Sequence, residues 1–161
     1  MRIRTIAPAG ILTALLLGTL LLATAGATGR FTADDDKAAL QGTWQCVSSE
    51  MDGEKQPDDE VKPYTLVFDG EKLTVNKAGE RIMKGSVKLD PAQSPRHIDF
   101  KLEENPNNPD DVGKTLPGIY EVKGEELKWC FTLPDRSERP KDFKTEAGSS
   151  RVSAVLKREK K

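Results

Sequence analysis

The sequence predicts an all-β domain, an antiparallel eight-stranded up-and-down barrel. Three observations carry that prediction. Short runs alternate apolar and polar residues, most clearly His97-Ile98-Asp99-Phe100-Lys101-Leu102. Turn chemistry recurs every ten residues or so, at Asp52-Gly53, Asp69-Gly70, Ala78-Gly79 and Gly124. No interior stretch carries a sustained helical period. Eight strands is the number at which such a meander closes around a small interior; a β-sandwich is the alternative.

The first residues are read as targeting rather than fold. Arg2 and Arg4 precede an apolar run, Ile11 to Leu22, and Ala25-Gly26-Ala27 offers a small-x-small cleavage site. The run is short for a bilayer span, and Pro8, Gly10 and Gly18 suit one poorly. Residues 1–27 are therefore expected to be a signal peptide. The protein is expected to be exported to periplasm, envelope or exterior, with no membrane span after cleavage. Residues 28–36 read as a flexible lead-in, 37–158 as the barrel domain and 159–161 as a basic tail. Asp34 to Ala39 is acidic and helix-prone, a short helical turn before the first strand.

Trp44 to Glu50 is the first strand, with Trp44, Cys46 and Ser48 facing inward. Gln56 to Pro63 is polar and bracketed by prolines, with room for one helical turn across a barrel mouth. Tyr64–Phe68, Leu73–Val75 and Arg81–Leu89 follow, with Gly85 marking a bulge or bend. After His97–Leu102 comes an acidic, Asn-rich loop from Glu103 to Lys114. Thr115–Val122, Leu127–Thr132 and Arg151–Arg158 complete the set, the last reached by a charged loop from Leu133 to Ser150.

Charge excludes some functions. The 161-residue chain carries 25 Lys and Arg against 26 Asp and Glu, and loss of Arg2 and Arg4 takes the net charge from −1 to −3. The signs are interspersed, which fits a solvated surface and gives no nucleic-acid patch. Cys46 and Cys130 would meet an oxidising compartment, so a disulfide is open, but separation in sequence fixes nothing. As small hydrophobes inside strands they need no bond, and Cys46 is not expected to be essential for folding.

Leu40-Gln41-Gly42-Thr43-Trp44 at the head of such a meander resembles the lipocalin and calycin pattern. With Asp52-Gly53, Leu116-Pro117-Gly118-Ile119-Tyr120, Gly124-Glu125-Glu126-Leu127, Cys130-Phe131, Arg139-Pro140, Phe143 and Val155-Leu156-Lys157-Arg158, the chain resembles a planctomycete family of secreted, uncharacterised domains over about residues 37 to 158. That resemblance implies export and a lipocalin-like barrel, and no established activity. In lipocalins the Trp closes one barrel end beneath a basic residue of the last strand. The likeness thus implies a structural lock between Trp44 and Arg158, which shares a face with Val152, Ala154 and Leu156.

Catalytic and metal chemistry find little footing. His97, the single histidine, and Asp99 share a strand face, but no nucleophile motif accompanies them. One His and two distant Cys lack zinc spacing. The acidic loop lacks EF-hand spacing. No enzyme, metal or cofactor is predicted. Tyr64, Phe68, Phe100, Tyr120 and Trp129 sit at alternating positions and are the candidate ligand-binding wall. Small residues at Cys46, Ser48, Gly85 and Gly118 would leave room inside. The expected partner is a small hydrophobic or amphipathic ligand. The alternative is a filled barrel that acts on envelope partners through Gln56–Pro63, Glu103–Lys114 and Leu133–Ser150.

Overall fold

The computed structural model describes residues 32–160, so the signal-peptide segment lies outside the described residues. A helix, α1 (Ala33–Leu40), opens the domain. Thr32 caps it: its hydroxyl accepts from the Asp35 amide and its own amide donates to the Asp35 carboxylate. Three aspartates in the first turn complement the helix dipole. The described fold thus already includes residues ahead of Lys37. Residues 33–36, read as lead-in, are the first turn of a docked helix, and Asp36 and Leu40, one turn apart on one face, are both buried.

Eight strands then form a closed antiparallel barrel. They are β1 (Gly42–Met51), β3 (Tyr64–Asp69), β4 (Lys72–Lys77), β5 (Glu80–Asp90), β6 (Arg96–Glu104), β7 (Thr115–Lys123), β8 (Glu126–Thr132) and β9 (Arg151–Arg158). Each pairs with its neighbour, and β9 returns to β1 with Trp44 opposite Arg158 and Leu156 opposite Cys46. A two-residue strand, β2 (Glu54–Lys55), extends β1 as a hairpin. One helical turn, α2 (Asp58–Val61), fills the proline-bracketed connection. Among the described residues no helix is long and apolar enough to cross a bilayer.

The alternation read from sequence is the core. Ile98, Phe100 and Leu102 are buried from β6, and Leu127 and Trp129 from β8. Two features depart from the expected pattern. A bulge in β1 between Cys46 and Ser48 adds one residue against β9. A one-residue slip reverses facing. Beyond it Ser49 and Met51 turn inward, opposite Ala154 and Val152, in place of Ser48.

Gly85 and Gly118 do not leave room inside. A Cβ at Gly85 would lie 1.9 Å from the Lys101 carbonyl oxygen and 2.9 Å from the Phe100 ring. One at Gly118 would lie 2.8 Å from Trp129 Nε1. The aromatic rings occupy what the glycines vacate.

β8 is buried on both faces. Its outer residues, Cys130 and Thr132, lie beneath the 133–150 loop, which folds down as a strap. Thr132 donates to the Glu138 carbonyl at 2.6 Å. Thr145, also buried, donates to the Glu50 carboxylate and accepts from the Gly53 amide at 2.9 Å. Arg139 spans β6 and β7, donating to the Ile98 and Gly118 carbonyls and to the Asp99 carboxylate.

Candidate functional site

The two ends of the barrel differ in kind. One is sealed by α1. Trp44, fully buried, donates its indole N–H to the Leu40 carbonyl at 2.7 Å. The Arg158 guanidinium carbon lies 4.2 Å from the Trp44 ring centre, and its Nη1 and Nη2 donate to the Gln41 and Ala39 carbonyls at the helix C-terminus. In the helix's first turn, Asp36, 2% exposed, binds Arg96 Nη1 through both carboxylate oxygens, at 2.9 and 3.0 Å. Tyr120 donates its hydroxyl to the same carboxylate at 2.5 Å. Burial, then the hydrogen bond to the Asp36 carboxylate, push the Tyr120 phenol well above its ordinary pKa. A buried carboxylate needs such partners, because an unpaired one would cost far more than helix docking returns.

The other end is open. The three long loops, 56–63, 105–114 and 133–150, all emerge there, since they join strands at that edge. Beneath them lies a cavity of about 330 Å³. Its wall is mostly aliphatic and aromatic, with Leu66, Met83, Leu102, Trp129 and Phe131 prominent. α2 lies across the mouth with buried Val61 turned into it. Polar groups gather at the rim: Glu60, Lys77, Asn105 and Asp111. Lys77 Nζ stands 5.0 Å from the centre of the Tyr64 ring. Asp111 is committed to Lys114 and Asn108, both at 2.7 Å.

The structure brings two of the five expected wall residues, Tyr64 and Trp129, to this cavity. The other three are packed elsewhere. Tyr120 is held by Asp36 at the sealed end. Phe100 covers Gly85 and meets Trp129 edge-on, ring centres 6.1 Å apart. Phe68 faces a second, more open groove of about 570 Å³ beside α1. Lysines 37, 88 and 101 and acids Asp34, Glu71 and Asp99 ring that groove in equal number, which selects no ligand charge. The sequence reading missed Ser49, Met51, Ile82 and Met83 on the cavity wall. The first two depended on the bulge. Asp36 and Arg96 were missed because they sit in a polar lead-in and after a loop.

Both cysteines are free. Cys46 faces the cavity, whereas Cys130 faces the strap, so the barrel wall separates them. Burial pushes each thiol up to about 11, which makes both poor nucleophiles at neutral pH. His97 and Asp99 do not act as an isolated pair, because Asp99 is bound by Arg139 at 2.6 Å. Among the described residues, no three His, Cys, Asp or Glu are grouped to hold a metal ion.

No protein-family model matches the chain, and a search of curated proteins finds no significant match.

Proposed function

We propose that this protein is an exported, lipocalin-like binding module that holds one small apolar or amphipathic molecule in the open end of its barrel. The observation that carries the proposal is the cavity of about 330 Å³ with an apolar wall and a polar rim. Ligand pockets start at about 300 Å³ and combine apolar walls with a few placed polar groups. At about 30 Å³ per water-sized unit the space suits roughly ten heavy atoms, a compact molecule rather than a long acyl chain. Binding is non-covalent and driven by apolar burial at about 25 cal/mol per Å². Export rests on the sequence of residues 1–27, and the likeness to the planctomycete secreted domains is part of the same proposal.

A second reading, an envelope interaction domain working through its loops, draws on the gathering of all three long loops around one rim. Native mass spectrometry of the protein purified from its own envelope fraction separates the two. A reproducible added mass that vanishes on denaturation is expected. A bare polypeptide mass, with no uptake of a hydrophobic fluorescent probe, would favour the interaction domain.

A further inference from the structure

Among the described residues, three charged side chains line the open cavity: Glu60, Lys77 and Asp111. They differ in how they are held. Asp111 already pairs with Lys114 and accepts from the Asn108 side-chain amide, both at 2.7 Å. Glu60 belongs to α2, the single turn across the mouth. Lys77 alone comes from a barrel strand. It ends β4, directly opposite Tyr64 of β3. Opposed residues of an antiparallel pair share a face. The pairs behind it on that face, Val75 with Leu66 and Leu73 with Phe68, are buried in the core. Lys77 is therefore the last inward-facing position of its strand, a cation above an apolar wall.

Its ammonium stands on the cavity side. Nζ lies 5.0 Å from the centre of the Tyr64 ring, and Tyr64 lines the cavity too. Among the described residues no carboxylate lies within ion-pair distance of Lys77. That includes Glu80, its partner across the β4–β5 turn. The long stem leaves the ammonium in water at the rim, free to meet a charge that the protein does not supply.

We infer that the molecule held here is a compact amphipathic anion, a monocarboxylate whose apolar body fills the barrel and whose head meets Lys77 at the rim. This inference rests on the binding reading above and names its ligand class. The head belongs at the rim because no cation lines the cavity below it. A carboxylate buried deeper would go unpaired, at a cost beyond what apolar burial returns. At the mouth it keeps part of its water. A carboxylate is favoured over an ammonium head because the ligand's body lies against the strand wall that bears Lys77. Glu60 is carried instead by a connection bracketed by Pro57 and Pro63.

Three probes with one apolar body test it: 3-phenylpropanoate, 3-phenylpropan-1-ol and 3-phenylpropylamine. Each is titrated calorimetrically into the purified protein at low ionic strength. The carboxylate is expected to bind about two- to fivefold tighter than the alcohol, the range of an exposed ion pair, with the amine weakest. Molar salt should close the gap. Lys77→Met keeps the apolar stem without the charge, and should bring the carboxylate down to the alcohol while leaving the alcohol unchanged. Lys77→Arg should keep the preference. Binding of the alcohol with no preference for the carboxylate, or a preference that survives in Lys77→Met, would overturn the anion and leave the cavity reading intact. A preference for the amine that Glu60→Gln abolishes would overturn it in favour of a cationic ligand. Failure of all three probes to bind would overturn both readings together.

Discussion

Arg158 lies with its guanidinium carbon 4.2 Å from the centre of the Trp44 ring, at the seam where the last strand returns to the first. The same guanidinium donates to two carbonyls at the end of α1. One side chain thus joins strand, strand and helix. It satisfies carbonyls that a helix C-terminus leaves unpaired while stacking on the indole that blocks the floor.

Replacing Arg158 therefore tests both contacts. Arg158→Ala is expected to lower stability by about 2 kcal/mol, from a cation–π contact of about 0.5–2 and two charge-assisted hydrogen bonds. Arg158→Lys should recover less than half, since an ammonium cannot stack and fork at once. Urea unfolding of the three proteins measures this. Equal stability of the Lys variant and wild type would show that charge alone matters.

Asp36, Arg96 and Tyr120 make the second fastening of α1. Tyr120→Phe is expected to cost about 1.5 kcal/mol by removing a hydrogen bond to a charged group. Asp36→Ala should cost about 3 kcal/mol, because it removes the buried carboxylate that Arg96 and Tyr120 share and leaves its pocket empty. The phenol's raised pKa has a definite sign. The folded state holds the proton longer than the unfolded chain, whose phenol titrates near 10. This contribution is full below about pH 10 and is lost as the pH rises further. Equilibrium unfolding between pH 8 and 12 should show a drop that is smaller in Tyr120→Phe. An identical slope in both proteins would remove Tyr120 as its source.

The cysteines add an earlier loss. Both thiols are pushed up to about 11 by burial, against an unfolded value of about 8.5. Stability should be unaffected below about pH 8.5 and decline from there towards pH 11. A thiol reagent should leave the native protein unmodified and label both cysteines once urea unfolds it. Cys46→Ala is expected to fold, losing about 1 kcal/mol for a small vacated volume. Its failure to fold, with a mass two hydrogens below the reduced wild-type value in the parent protein, would instead establish a disulfide.

How far the sequence reveals this molecule differs from element to element. The alternation at Ile98, Phe100 and Leu102 fixes an inward face because a pleated strand permits no other phase. Gly42-x-Trp44 and the parity of Arg158 place the seam, since β9 runs without a bulge from Val152 to Arg158. The bulge at Val47 is different. An extra residue in a ladder leaves no compositional mark, so the swap of Ser48 for Ser49 and Met51 could not be read. Asp36 and Arg96 are sixty residues apart, and each alone is an ordinary surface charge. The i, i+4 spacing of Asp36 with Leu40 was the one local sign that the aspartate faces inward. The aromatic wall divided because position along the strand, rather than face, decides which residues meet the cavity. Tyr64 begins β3 at the open end, and Phe68 lies near its other end, by α1.

Ala154 gives the most direct test of the cavity as a binding site. It sits between Ser49 and Trp129 in the register and lines the space with the smallest side chain of that row. Enlarging it to leucine places methyl groups in a void rather than in a packed core, so the usual overpacking cost of about 1–3 kcal/mol should not apply. Filling apolar empty space regains contacts that the lining lacks. Ala154→Leu is therefore expected to match or exceed wild-type stability in urea and to reduce uptake of a hydrophobic fluorescent probe at least tenfold. Leu156→Ala, one inward position further along β9 towards the sealed end, enlarges the same space and should instead lose about 3 kcal/mol. The pair separates volume from stability: a binding cavity responds to Ala154→Leu with lost uptake and no lost stability. Lost stability with unchanged uptake would mean that the probe binds elsewhere and that this part of the barrel is already full.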